Sequence, residues 1–280
     1  MKDYQTYREN VMEQERIAWV AVAVVLVGIA FASSKTFKME RFSTFTNFKA
    51  MAVIINLDKN KERLLRILTE YSTSDLAGTI PVRRFAAIDA TNIDISRYVT
   101  EQTVNQIQKT ATTGYRIRHH EMTIGAVGCF LSHISVMRML LQDDNHDTFF
   151  ILEDDALIPP KIYADIGNTI RTAPLGWDVL VLGYHYATYD ADKYDPFFRL
   201  LTFWGMHAII INKVGAQKIV EEYEANKINM QIDSMLGRMI KAGKINVFAP
   251  KKMLVMPGDF GSDIQVHVRH VDGVDPYSLE

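Results

Sequence analysis

The chain has 280 residues, with 31 Lys+Arg against 33 Asp+Glu and a formal net charge of −2. That balance argues against a nucleic-acid backbone as the main partner, which demands a basic stripe and a pI above roughly 9. Hydrophobic residues make up 48%, enough for a large core, while a single cysteine, Cys129, excludes a disulfide framework and a cysteine-based zinc site.

The mean hydropathy of −0.04 conceals one apolar segment near the start. Residues 17–32 read IAWVAVAVVLVGIAFA, and Ser33 and Ser34 extend the uncharged run to eighteen between Arg16 and Lys35. A bilayer core needs roughly 17–25 helical residues, and Trp19 lies near one end, where interfacial aromatics belong. We read a single-pass transmembrane helix over 17–34, after a tail at 1–16 and before a Ser/Thr/Phe/Lys-rich stem at 35–50. A buried soluble helix is the alternative; a cleaved signal fits poorly, because Asp3, Glu9, Glu13 and Glu15 stand where a basic region belongs. Three Lys/Arg precede the segment and four follow it, which leaves the orientation open. The single cysteine and the absence of an N-x-[ST] sequon allow a cytosolic face for the domain that follows, whereas a lumenal one is what the family resemblance given below implies by analogy.

From Met51 to the end the pattern changes to one enzyme-like domain, 51–280. The run AVIINL at 52–57 suits a buried strand, and 59–71 has helical spacing. A strand follows at 83–88, and 124–141 is a helix apolar on more than one face. Residues 148–152 (TFFIL) form a strand that runs into Glu153, Asp154 and Asp155; Pro159 and Pro160 suit the first turn of a helix. Strands at 178–182 and 208–211 precede a helix at 213–224 capped by Asn212. Ile232, Met235, Leu236, Met239 and Ile240 mark an amphipathic helix. Strands alternating with helices imply an α/β fold with a mostly parallel sheet covered on both faces. Ligands bind such sheets beyond the carboxyl ends of the strands.

Three carboxylates at a strand's carboxyl edge are costly unless a cation, hydrogen bonds or open water accept the charge. Mg²⁺ and Mn²⁺ prefer oxygen ligands and use one or two carboxylates plus substrate phosphates. Strand alternation puts Glu153 and Asp155 on one side and Asp154 on the other. A solvated acidic turn is the plainer alternative. The chain lacks the glycine-rich fingerprints of dinucleotide and P-loop sites and the G-x-S-x-G elbow. His119-His120-Glu121 and His267-x-x-His270 lack a third convincing zinc ligand.

A set of short pieces runs in order along the chain: Ile55-Asn56-Leu57-Asp58 with Arg63, residues 84–90 (RFAAIDA), residues 125–133 (GAVGCFLSH) and residues 151–155 (ILEDD). Trp204-Gly205, Gly215-Ala216, Asp233 and Ser262-Asp263-Ile264 complete the order over nearly all of 52–265. This ordered set resembles glycosyltransferase family 25, which contains bacterial lipooligosaccharide galactosyltransferases and collagen hydroxylysine galactosyltransferases. Two positions depart from the family: Ala90 where it has glycine, and Phe130 where a small residue is common. Both put local geometry in doubt and could mark altered donor specificity.

The resemblance implies a GT-A-like nucleotide-sugar-binding sandwich. By its pattern Asn56 and Arg63 lie in the nucleotide pocket and Asp89 helps hold the nucleoside, although Asn56 could merely cap a helix and Arg63 sit on a wet face. Asp155, with Glu153 or Asp154, would hold Mn²⁺ (or Mg²⁺) against the diphosphate of a UDP-sugar. Ser132 and His133 are either donor-binding or buried core, and Cys129 reads as a small buried hydrophobe. Trp204 and Gly205 are candidates for the acceptor. Asp233 is either the base that takes the acceptor hydroxyl's proton or a charge on a helix dipole, and Asp263 is a metal or donor contact. The expected activity is metal-dependent transfer of a hexose, galactose from UDP-galactose, with inversion. The acceptor would be a hydroxyl of a glycan, a lipid-linked saccharide or a hydroxylysine-type residue. The rivals are an inactive membrane-anchored sugar-binding module and a metal-dependent phosphodiesterase or glycosidase.

Overall fold

The computed structural model describes residues 49–118, 120–190, 193–260, 267–269 and 271. The anchor expected at 17–34, most of the stem, Asp263, His119 and His270 lie outside them.

In chain order the elements are β1 (Ala50–Asn56), α1 (Lys61–Thr73), β2 (Val82–Ala86), two 3₁₀ turns at Ala90–Asn92 and Ile95–Arg97, and α2 (Glu101–Thr113). Then come β3 (Tyr115–Arg116), α3 (Ile124–Leu141), β4 (Thr148–Glu153), β5 (Ala156–Leu157) and α4 (Tyr163–Thr172). The remainder is β6 (Val179–Gly183), β7 (Tyr186–Asp190), β8 (Phe197–Trp204), β9 (Ala208–Asn212), α5 (Lys213–Ala225), α6 (Ile232–Lys241), β10 (Val247–Pro250), β11 (Met256–Pro257) and β12 (His267–Val268). The elements expected from patterning fall within two residues of these bounds, apart from the proline-led helix. Pro159 and Pro160 precede α4 rather than opening it. Its first amides are satisfied from elsewhere, since Ile162 N and Tyr163 N both donate to Asp75 Oδ1 at 2.9 Å. That makes an N1 proline unnecessary.

Eight strands form one sheet in the order β2-β1-β4-β9-β6-β10-β8-β7. The sheet is mixed rather than mostly parallel. The pairs β1–β2, β1–β4 and β6–β10 are parallel, whereas β4–β9, β6–β9, β8–β10 and β7–β8 are antiparallel. The physical reason is that a strand buried on both faces reads as a continuous apolar run whichever way its neighbours point. The β9 run AIIIN carries no mark of its direction.

Alternation along the central strands makes two cores. Val53, Phe149, Ile151, Val181 and Ile209 point to the face covered by α3, α5 and α6, through Val127, Ile134, Ile219, Met235 and Leu236. Ile54, Phe150, Leu152, Leu180 and Ile210 point to the face covered by α1 and α4, through Ile67, Tyr71 and Ile166. Helix α3 is long and apolar enough to cross a membrane, yet 61% of it is buried inside the fold. It is the central core helix, packed on α5 and β1, and Thr123 caps its N-terminus by accepting from Ala126 N at 3.0 Å.

Candidate active site

The parallel strands β1 and β4 end side by side, with Ile55 opposite Glu153. The chemistry sits on the residues that follow. Asn56 is 1% exposed. Its Nδ2 donates to Asp154 Oδ2 at 2.6 Å and to Asn60 O at 3.0 Å, while its Oδ1 accepts from Arg84 Nε at 3.1 Å. Arg84 also pairs with Asp58. Asp154 Oδ1 accepts from Arg63 Nη1 at 3.3 Å, and Arg63 Nη2 donates to Phe260 O at 2.8 Å. The main-chain oxygen of Asp154 accepts from Arg66 Nη2 at 2.6 Å, and the Arg66 guanidinium lies 4.3 Å above the Phe260 ring. Both carboxylate oxygens of Asp154 are thus committed to a brace that ties β1, α1 and the 254–260 segment to the end of β4.

Glu153 faces the opposite way, toward α3. Its Oε1 lies 2.9 Å from Nε2 of His133, a side chain with no exposure, and 3.8 Å from the Cys129 thiol. Burial pushes the Glu153 carboxyl up, but the His133 hydrogen bond and charge, with His207 and His185 behind it, bring it below the usual range. The Cys129 thiol is pushed up by burial and by Glu153, Asp233 and Asp155. Asp155 is pushed up to about 7 by burial and by the charges of Glu153 and Asp154, with Arg63 opposing. Its Oδ1 is buried with no hydrogen-bond partner among the described residues. A buried carboxylate oxygen without a donor is expensive unless a cation or a ligand arrives. With neighbouring carboxylates raising the cost, this end of β4 fits a hard divalent cation.

One cavity, about 790 Å³ of space open to solvent, collects Asn56, Arg63, Asp89, Ser132, His133, Glu153, Asp154 and Asp155 on its wall. Cys129 lines it too, rather than lying sealed in the core. Lys59 and the first residues of α3, Ile124 and Gly125, add positive potential and a helix N-terminus. Ser132 holds the wall together: its hydroxyl donates to Gly128 O at 2.7 Å and accepts from Ile88 N at 2.8 Å. Gly128 is required by close approach, because a Cβ there would lie 2.4 Å from Ile88 O. Asp89 turns the chain by accepting from Thr91 N at 3.0 Å and from Thr91 Oγ1 at 2.6 Å.

The two departures from the family separate here. Ala90 lines the cavity, but no described non-glycine residue has positive φ, so this turn makes no use of glycine's freedom. Phe130 is off the cavity, its ring 5.9 Å from that of Tyr223 on α5.

Trp204, Gly205 and Asp233 form a second group beside the first. Gly205 has φ +90, and its N–H donates to Asp233 Oδ2 at 3.0 Å. Asp233 Oδ1 accepts from Ser234 N at 2.7 Å. Burial raises the Asp233 carboxyl, those hydrogen bonds oppose it, and Glu153 adds to the rise. The 205–207 link joins the groups: His207 O accepts from Glu153 N at 2.9 Å, and two residues span at most ~7 Å. Patterning missed Arg84, Arg66 and His207. His207 is fully buried, with its Nδ1 unpartnered. Only the motif position of Arg84 signalled it. Among the described residues Cys129, His133 and Glu153 bring ligand atoms within 4.8 Å of one another; the raised thiol disfavours Cys129 as a ligand.

Residues 50–173 match the model of a family described as Glycosyltransferase family 25 (LPS biosynthesis protein). Two curated relatives, each described as a Glycosyltransferase 25 family member, come from Anopheles gambiae and Aedes aegypti. Each is 25% identical, over 194 and 184 residues, covering 65% and 62% of this chain and 30% and 28% of theirs. The chain spans less than a third of the length of these relatives. Solved structures overlap more loosely. A197 from STIV gives a TM-score of 0.38 at 12% identity, covering 80% of this chain and 98% of its own. A Drosophila beta-1,4-galactosyltransferase 7 mutant in complex with manganese, UDP-Gal and xylobiose gives 0.34 at 12% identity, covering 74% and 69%. Mouse xyloside xylosyltransferase 1 gives 0.34 at 9% identity, covering 70% of each chain. Overlaps this loose carry no argument about fold family or ligand.

Proposed function

We propose, for a chain whose residues 50–173 belong to glycosyltransferase family 25, a membrane-anchored, metal-dependent hexosyltransferase. The donor is a UDP-sugar, UDP-galactose by the family resemblance. The acceptor is a hydroxyl on a glycan, a lipid-linked saccharide or a hydroxylysine-type residue, and transfer inverts the anomeric carbon. One observation carries the reading: Asp155, whose buried Oδ1 has no hydrogen-bond partner among the described residues, lines a cavity whose wall also holds Asn56, Arg63, Asp89 and Glu153.

Asp155 and Glu153 are the residues that would hold Mn²⁺ or Mg²⁺, since hard cations take oxygen ligands. When bound, such an ion supplies Lewis-acid stabilisation of charge on the departing nucleoside diphosphate. Asp154 serves by bracing, since its oxygens are taken by Asn56 and Arg63. Lys59, Arg63 and the N-terminus of α3 offer the cationic wall that a diphosphate needs. Asn56 and Asp89 line the nucleoside end. His133 orients Glu153, and Ser132 fixes the 87–90 turn. Asp233 takes the proton of the attacking hydroxyl. The Gly205 and Ser234 amides aim its carboxylate, and its raised pKa brings it toward the range a general base uses. Residues 1–16, 17–34 and 35–50 are tail, anchor and stem, ahead of the catalytic domain at 51–280.

The test is release of UDP from a panel of UDP-sugars by the full chain in detergent, with Mn²⁺ or with EDTA. Metal-dependent release from at least one donor is expected. No release and no UDP binding by titration would overturn the reading. Protease protection of the C-terminal domain in sealed vesicles reports its side of the membrane.

A further inference from the structure

The β7–β8 hairpin presents a surface that the donor cavity does not use. Tyr186 stands opposite Trp204 across the ladder, and their rings stack with centroids 4.6 Å apart and planes 21° apart. Tyr186 is 47% exposed. Two residues along each strand, on the same face by strand alternation, Thr188 stands opposite Thr202 with their hydroxyls 2.8 Å apart. The face therefore runs from a flat aromatic pair to a hydroxyl pair. A pyranose has matching chemistry, with an apolar C–H face and a rim of hydroxyls. Aromatic rings with a polar tip suit such half-wet contacts, and a few placed polar groups fix orientation.

The surface is continuous with the site. Trp204 leads directly into Gly205, whose N–H holds Asp233 at 3.0 Å. A side chain at 205 would meet the ring of His185 at 2.7 Å, so backbone alone makes this junction. Trp204 is thus one residue along the chain from the backbone amide that holds the carboxylate read as the base. A peptide acceptor would use a different part of the hairpin. Among the described residues β7 is the outer strand of the sheet, and an extended peptide pairs with an outer strand's backbone rather than its face.

We propose that Tyr186, Trp204, Thr188 and Thr202 bind a sugar ring of the acceptor, so that the acceptor is a saccharide and not a peptide hydroxyl. This rests on the transferase reading of the neighbouring cavity and narrows it. The experiment titrates the full chain, with UDP and Mn²⁺ present, with methyl β-galactoside, methyl β-glucoside, lactose and N-acetyllactosamine, and separately with a hydroxylysine-containing collagen-type peptide. Saturation-transfer NMR reads which ligand protons touch the protein. At least one saccharide binds through ring C–H protons. Tyr186→Ala weakens it roughly tenfold, which is about 1.4 kcal/mol, and Trp204→Ala weakens it further, while UDP titration is retained. Binding of the peptide alone, binding of no saccharide, or saccharide affinity unchanged in Tyr186→Ala overturns the proposal. Should Trp204→Ala fail to fold, the exposed Tyr186 still carries the test. Loss of UDP binding by the unaltered chain would count against the transferase reading instead, and the saccharide arm still reads the hairpin.

Discussion

The cavity at the ends of β1 and β4 and the face of the β7–β8 hairpin are built on opposite terms. In the cavity, charged side chains are buried and locked: Asp154 is held by Asn56 and Arg63, Glu153 by His133, and the 87–90 turn by Ser132. On the hairpin, the exposed Tyr186 ring stacks on Trp204 and two half-buried threonine hydroxyls pair with each other. The difference fits two tasks. A site that gathers a polyanion and a cation must hold its charges rigid before the ligand arrives, since reorganising them during reaction costs rate. A site that only seats a sugar ring gains from flat, accessible surface, and its contacts are individually weak.

Breaking the cavity should therefore cost more than trimming the hairpin. Asp155→Ala is expected to abolish metal-dependent UDP release while leaving the chain folded, because its buried Oδ1 has no hydrogen-bond partner among the described residues to lose. Unfolding of this variant would instead give the cluster a structural role. Asp233→Asn should cut transfer by about a hundredfold or more with UDP binding retained; near-normal turnover would remove Asp233 from the mechanism. Gly128→Ala pushes a methyl to within 2.4 Å of Ile88 O. Thermal melts should register a loss of about 1–3 kcal/mol, with weaker UDP binding as the 87–90 turn shifts. The smallest change expected is the tenfold loss of saccharide affinity in Tyr186→Ala.

A pH titration sharpens the contrast. The Asp155 carboxyl lies near 7 in the folded, metal-free chain against an ordinary 3.8. Its contribution to stability is fully present below the ordinary value and is lost as pH rises through about 7, because the unfolded chain releases the proton first. A cation must displace that proton, so Mn²⁺ affinity should fall about tenfold per pH unit below 7 and level off above it. Calorimetry across pH 5–8 checks this. Saccharide binding at the aromatic and hydroxyl pairs of the hairpin should change less over the same range.

Much of the fold was legible because its buried strands are unbroken apolar runs. β1, β4, β6 and β9 are nearly all Ala, Val, Ile, Leu and Phe between polar ends. Helix α2 escaped notice because EQTVNQIQKTATT offers few apolar residues to set a period. The hairpin escaped because β8 mixes buried and exposed positions across a register shift. In the site, the motif residues were readable and their division of labour was not. Asp154 sits between two carboxylates of the same type, and only partners 98 and 91 residues away make it a brace.

The sequence by itself determined which residues carry charge at the end of a buried strand. It also determined which segments are apolar enough to be strands and helices, and the order of motifs that match a family. These are local properties, written within a few residues of chain. Tertiary structure alone decided that the sheet is mixed, that Ser132 ties a turn 44 residues away, and that Glu153 meets a histidine while Asp155 Oδ1 finds no hydrogen-bond partner among the described residues. Strand direction and hydrogen-bond partners depend on which distant segments arrive alongside, and burial then sets the cost of leaving any one polar atom unpaired.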